Sequence, residues 1–284
     1  MKKNNNIAYF FIIPAIIFFA IFTVWPLIKL FQLSLFKTNF IKTQFIWFAN
    51  FIKIMSDDTF KSAIFNSFIY VIIIVPSRIC LALLISLLVY DLDKKMHNLV
   101  RFIFYVPVFA SGIIISNVYK WIFNPTSKGL VNQFLNSLGM ENIIFFSTRL
   151  SSTVPIAIIM ITSTLGFDII VYMAVMLSIK KEQIEAAKID GCNWWQIKTM
   201  IILPQLAPVI MLTSLLAIIG IFQIFEYIFM LAPYDYAHSV MYDIYYTGFI
   251  QNSNGMAAAK SIVFIAIIFV VSYVKRKIES KRKE

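Results

Sequence analysis

The chain has 284 residues, of which 60% are hydrophobic and 14% charged, and its mean hydropathy is +0.80. Soluble domains run about 45–50% apolar and about 25% charged, so the composition excludes both a soluble enzyme and a disordered chain and indicates an integral membrane protein. A net charge of +11 would suit nucleic acid, but the basic residues gather at the ends of apolar runs, as in a polytopic protein, and no nucleic-acid partner is expected.

A helix that crosses a bilayer needs about 20 mostly apolar residues. Only helices and closed barrels satisfy their backbone polar groups in lipid, and the runs here lack the two-residue alternation of a barrel. The predicted fold class is therefore all-α: a polytopic membrane protein with six transmembrane helices, near residues 8–30, 65–90, 99–121, 154–178, 203–231 and 258–274. The first run begins with Lys2 and Lys3, but it is too long for a signal peptide and no small-residue cleavage site follows, so it reads as a retained span. Pro14, Pro76, Pro107, Gly112, Gly166 and Gly220 inside the spans predict kinks or close packing. One domain over 1–284 is expected, with its core at about 65–275.

With six spans the termini share a side. That side carries fifteen Lys and Arg residues against nine on the other, which predicts cytoplasmic termini; the cluster from Lys275 onward is the strongest anchor. The external segments near 31–64, 122–153 and 232–257 are polar and too short for a folded domain. Cys80 and Cys192 lie in unlike settings and form no disulfide framework or thiolate metal site. The two histidines, His97 and His238, fall in a cytoplasmic turn and an external loop, with no metal-binding spacing, and are expected to be solvated.

The stretch between the fourth and fifth spans, 179–204, does not fit a plain bundle. Residues 180–190 are good helix formers, and Gly191 is a suitable stop. Asn193 with Gln196 three residues on is a capping-box pattern for a second helix, which Pro204 and Pro208 bend as it enters the bilayer. Ile184, Ala187 and Gly191 share one face by helical spacing. Such a small apolar face, with Glu185 and Asp190 beside it, could seat a short helix in a groove of another protein. The alternative is an amphipathic helix lying on lipid.

Ionisable residues within spans are functional candidates by default, at an insertion cost of about 2.5–3.5 kcal/mol each. Arg78, Asp168 and Glu226 qualify, either as a transport pathway or as a structural ion pair. Asn66 and Asn117 are further polar candidates, whereas Phe222 and Phe225 read as packing.

Glu185-Ala186-Ala187, Gly191 and Ile201-Ile202-Leu203-Pro204 together resemble the EAA-loop signature of permease subunits of ABC importers. F-I-I-P-A in the first span, R-F-I-F-Y-V-P-V-F-A in the third, W-I-F-N-P-T-S-K-G-L-V-N after it and L-G-F-D-I-I-V-Y-M-A-V-M-L-S-I in the fourth are similar to the carbohydrate-importer branch, over roughly 8–275. Two departures stand out. The usual Ile-Pro before the EAA helix is Ile179-Lys180, and Ala232-Pro233-Tyr234-Asp235-Tyr236 replaces a Gly-rich external segment.

The resemblance implies that Glu185, Ala186, Ala187, Gly191 and Asp190 couple to a separate ATP-binding subunit. It also implies that Gly166-Phe167-Asp168 and Gln223-Ile224-Phe225-Glu226 lie near a translocated sugar. It further implies two ATP-binding subunits, a second and different permease, and an extracytoplasmic solute-binding protein. Independently, the chain has no G-x-x-x-x-G-K-[ST] loop, so no cofactor and no ATP hydrolysis of its own are expected. The two acids argue against an anionic sugar unless Arg78 neutralises one of them, and a neutral oligosaccharide or monosaccharide is the expected cargo. The competing function is an ion-coupled secondary carrier using Asp168 and Glu226, which usually requires a repeated half that is not evident here.

Overall fold

The structure is a computed structural model and describes residues 5–38, 43–232 and 235–280. Among the described residues, five helices are long and apolar enough to cross a membrane: Phe11–Ser34, Asp58–Val89, Arg149–Ser178, Trp194–Phe222 and Asn254–Ile278. A sixth crossing exists if the pair Lys94–Phe109 and Gly112–Ile122 counts as one span. The helical membrane architecture expected from the sequence holds, with one addition: strands β1 (Phe36–Thr38) and β2 (Thr43–Phe45) pair antiparallel, Phe36 opposite Phe45.

Two spans expected to be continuous are broken. The third divides into α5 (Lys94–Phe109) and α6 (Gly112–Ile122), bent by 101°. Ala110 and Ser111 between them are extended, and the Ser111 hydroxyl faces the amide of Ile113 as the cap of α6, so the chain restarts a helix instead of continuing one. The fifth span ends α11 (Leu203–Phe222) and resumes as α12 (Glu226–Leu231) after an interruption at Gln223–Phe225.

Two spans contain wide π turns with a common cause. One, Ala20–Val24, separates α1 (Asn5–Phe19) from α2 (Trp25–Ser34). The other, Ile197–Ile202, separates α10 (Trp194–Gln196) from α11. Pro26 and Pro204 follow these turns directly. A proline ring clashes with the carbonyl four residues back, here Phe22 and Met200, and lacks an N–H to close the ladder. The widened turn absorbs both defects without ending the helix, and Trp194–Phe222 runs through Pro204 as one span.

The chain divides into two compact units. The first comprises residues 1–61 and 243–270. In it α3 (Ala49–Ile54) presents buried Asn50, whose amide donates to the carbonyls of Ser34 at 2.7 Å and Phe36 at 3.0 Å, pinning the hairpin. Gly255 lies so close to the Phe36 carbonyl that a Cβ would collide with it. Buried Lys260 on α14 (Asn254–Ser280) donates to Asp243 of α13 (Val240–Tyr245) at 2.7 Å and to Thr247 at 2.9 Å, and pairs with Asp57 at 2.8 Å. Partial burial raises the Asp57 carboxyl, but hydrogen bonds and charge from Lys260, with the Phe60 and Thr59 amides, outweigh it and hold it below the ordinary carboxylate range.

The second unit comprises residues 62–242 and 271–284, and contains α4 (Asp58–Val89) from residue 62 onward, α5, α6, α7 (Leu130–Ser137), α8 (Arg149–Ser178), α9 (Lys181–Ile189), α11 and α12. Thr148 and Ser151 close a capping box at the start of α8. The core gathers Leu165, Ile169, Tyr172, Met173 and Met176 of α8 with Ile202 and Leu206. At Gly166 the backbone of α5 presses in: a Cβ there would strike the Phe104 carbonyl, so only glycine lets the two helices approach.

Candidate functional site

The segment after α8 builds an elbow much as the local sequence predicts. Lys180 takes φ −62°, the value a proline would impose, so the departure from Ile-Pro costs the backbone nothing. Helix α9 follows and ends at Gly191, whose φ of +82° is the left-handed conformation of a helix stop. Asn193 and Gln196 then form the expected capping box: Asn193 Oδ1 accepts from the Gln196 amide at 2.9 Å, and Gln196 Oε1 accepts from the Asn193 amide at 2.7 Å.

One expectation about the elbow reverses. The face carrying Ile184 and Ala187 turns inward and packs on the core with Ile197 and Ile202. The outward face is Glu182, Glu185, Ala186 and Ile189, again spaced three and four apart, and Ile189 is 86% exposed. Asp190 and Gly191 are exposed beside it. A helix followed by a membrane span must bury one face to be held, and the larger apolar residue, Ile184, supplies that face.

A polar knot not expected from the sequence lies beneath the elbow. Lys198 is buried, at 2% exposure. Its ammonium donates to the Leu87 carbonyl, pairs with Asp91 Oδ2 at 2.6 Å and lies 3.6 Å from the centre of the Trp194 ring. Trp194 Nε1 donates to the same Asp91 oxygen at 2.7 Å. Partial burial raises the Asp91 carboxyl, yet hydrogen bonds from Lys198 and Trp194, and the charges of Lys198 and Lys188, hold it below its usual range. The available signal was spacing: Lys198 follows Trp194 by one helical turn, and Asp91 lies just past the second span. His97 is buried rather than solvated, and its Nε2 donates to the Val89 carbonyl at 2.9 Å. His238 is likewise buried, its ring 4.6 Å from that of Tyr242.

The intramembrane candidates separate into two groups. Arg78 and Asp168 are both buried and form a bidentate pair, Nη2 donating to Oδ1 at 2.8 Å and Nε to Oδ2. Asn66, also buried, donates to the carbonyls of Tyr236 at 2.9 Å and His238 at 3.0 Å, tying the loop after α12 to α4. Pro233 and Tyr234 of that loop lie outside the described residues, as do Lys2, Lys3, Lys42, Lys281, Arg282 and Lys283. Gly166 serves the contact with α5, and Asn117 donates to the Ile113 carbonyl of its own helix at 3.2 Å while its side chain stays exposed.

Gln223 and Glu226, by contrast, are exposed and flank the interruption of the fifth span. Glu226 lies over Gly112, the first residue after the break in the third span; a Cβ at Gly112 would overlap its carboxylate. The two broken spans therefore meet. Beside them Tyr227 donates to Ser163 at 3.2 Å, and Tyr119 shares a hydrogen bond of 2.6 Å with Thr162. Broken helices within a membrane are tolerated where they are buried in protein or line a cavity, and transporters use them to bring polar backbone and side chains to a solute. Phe222 is fully buried and meets Phe68 edge-on, which agrees with a packing role.

Comparison with known proteins agrees with this architecture. Residues 46–284 match the family model described as "Binding-protein-dependent transport system inner membrane component". The chain is 27% identical to the arabinooligosaccharides transport system permease protein AraP of Halalkalibacterium halodurans over 95% of this chain and 87% of that protein. It is 26% identical to the lactose transport system permease protein LacF of Rhizobium radiobacter over 100% of this chain and 97% of that protein. Among solved structures, one chain from a bacterial alginate ABC transporter in complex with an alginate pentasaccharide-bound periplasmic protein superposes with a TM-score of 0.87 at 26% identity, covering 99% of this chain and 96% of that one. The chain thus belongs to the family of inner membrane components of binding-protein-dependent transport systems, and it is a permease subunit of such an importer.

Proposed function

We propose that the chain works as one permease domain over 1–284, forming one of two different membrane halves of an ATP-driven importer. A sugar passes from an external binding protein between the halves into the cytoplasm, where both termini lie. Two separate ATP-binding subunits supply the energy, and the chain itself holds no cofactor. The observation that carries this reading is the elbow. It presents Glu182, Glu185, Ala186 and Ile189 outward on a helix whose opposite face is seated on the chain's own core. An exposed isoleucine ringed by carboxylates on an anchored helix suits docking in a groove of another protein. Glu185, Ala186, Asp190 and Gly191 belong to that contact, and Ala187 holds the helix from behind.

For the cargo, the relatives' names support a saccharide. The meeting point of the broken spans supports a route past Gln223 and Glu226, and exposed Asn117 on α6 is a further polar group for it. Arg78 neutralises Asp168, so the pair contributes no net charge to the route and Glu226 leaves it acidic, which favours a neutral sugar. Uptake of a sugar phosphate or uronide at the same rate would count against that assignment.

The test uses the assembled complex in proteoliposomes with labelled sugar and binding protein. Glu185→Lys, and Gly191→Val, which forces a branched residue into a left-handed conformation at about 1–2 kcal/mol, should both reduce co-purification of the ATP-binding subunit and ATP-dependent uptake. If both variants retain subunit and uptake, the coupling assignment fails; if uptake runs on a proton gradient without ATP, the chain is a secondary carrier.

A further inference from the structure

We propose that Lys198 is the positioning residue through which movement of the elbow is passed to the second span, so that the ATP-binding subunit drives α4 as well as α11. The proposal rests on the functional reading above and deepens it.

An ammonium has three N–H groups and no acceptor. At Lys198 it faces the Leu87 carbonyl, the Asp91 carboxylate and the Trp194 ring, so a buried cation is satisfied on every side. Leu87 lies in the last turn of α4, where carbonyls lack helical partners and a positive charge is favoured. His97, at the start of α5, takes the Val89 carbonyl of the same turn. The end of α4 is therefore held by side chains from two other segments.

The grip is also direct. A cleft of about 170 Å³, lined by Tyr90, Asp91, Ile184, Lys188, Trp194 and Lys198 among others, lies between α9 and the end of α4. Lys198 and Trp194 bridge it and converge on one carboxylate oxygen. Apolar surfaces can slide past each other, whereas a charge-assisted bond keeps its length and pulls its partner along.

The test uses the complete complex, with its ATP-binding subunits, in proteoliposomes, and measures sugar imported per ATP hydrolysed. Lys198→Met should still co-purify the ATP-binding subunit and hydrolyse ATP when loaded binding protein is added, while sugar per ATP falls about tenfold, the usual size of a coupling between sites. Lys198→Arg should keep most of the ratio, because it retains the charge and donors. Asp91→Asn, at a half-exposed position, should lower the ratio less than Lys198→Met does, and it carries the test by itself if the lysine variant does not assemble. An unchanged ratio in Lys198→Met, or in Asp91→Asn where that variant stands alone, overturns the proposal. So does loss of ATP hydrolysis in parallel with transport in Asp91→Asn, since that is the signature of a purely structural contact. A parent complex that recruits no ATP-binding subunit fails the underlying reading before any variant is made.

Discussion

The Arg78–Asp168 pair and the Gln223–Glu226 segment are both polar insertions in apolar spans, yet they end in opposite conditions. The first is bidentate and buried; the polar residues of the second, Gln223 and Glu226, are exposed beside a helix interruption. A charge committed to a partner holds helices together, and a polar group left uncovered is available to a solute. In the route proposed above, burial together with partnership, rather than polarity, separates scaffold from pathway.

Removing one member of the locked pair is the harshest way to break the contrast. Asp168→Ala leaves the Arg78 guanidinium buried and unpaired, and should cost about 3–5 kcal/mol of stability, read as loss of folded protein in detergent melts. Replacing both, Arg78→Met with Asp168→Leu, should recover most of that loss. If the single variant melts like the parent, the pair is not a scaffold. On the open side, Gln223→Ala and Glu226→Gln should leave melting within about 0.5 kcal/mol. Their effect should fall on uptake, reduced about two- to tenfold for each lost hydrogen bond to sugar. Normal uptake in both would remove them from the route.

The Lys260 cluster sharpens the comparison with the smallest effect. Asp57 has its folded carboxyl below the ordinary value of 3.8, so its stabilisation is fully present above that pH and is lost as pH falls through the folded value. Melting in detergent should show no pH dependence from this group between about pH 8 and 5, where its stabilisation is constant, and a decline below about pH 4 that Asp57→Asn lacks. A decline of equal size in Asp57→Asn would assign the acid sensitivity to other carboxylates.

The elbow was legible because its signals are local. A glycine stop, an Asn–Gln box and a helix-forming run lie within a few residues of one another and act on their own backbone. The spans were legible because a run of apolar residues long enough to cross lipid has few other uses. Their breaks were not, because Ala110–Ser111 and Gln223–Phe225 interrupt only two or three residues of otherwise apolar stretches. Ser111 before Gly112, a capping hydroxyl followed by a glycine, was the sign that a new helix starts there. Which acid meets Arg78 was open between Asp168 and Glu226, since the partner lies 90 positions away and packing alone selects it. The histidines were misjudged for the same reason: His97 is buried by reaching back to Val89, a contact that its neighbours do not announce.

The wide turn ahead of Pro204 also sets where the side chains of the elbow point. A π turn takes in an extra residue without ending the helix, and one residue corresponds to about 100° of rotation around the axis. Side chains before Ile197–Ile202 are thus set at a different azimuth from those the lipid-spanning part would dictate. Proline, by preventing a regular turn, sets the angular phase that points Trp194 at the end of α4, with Lys198 inside the turn itself, while Leu206 faces the core.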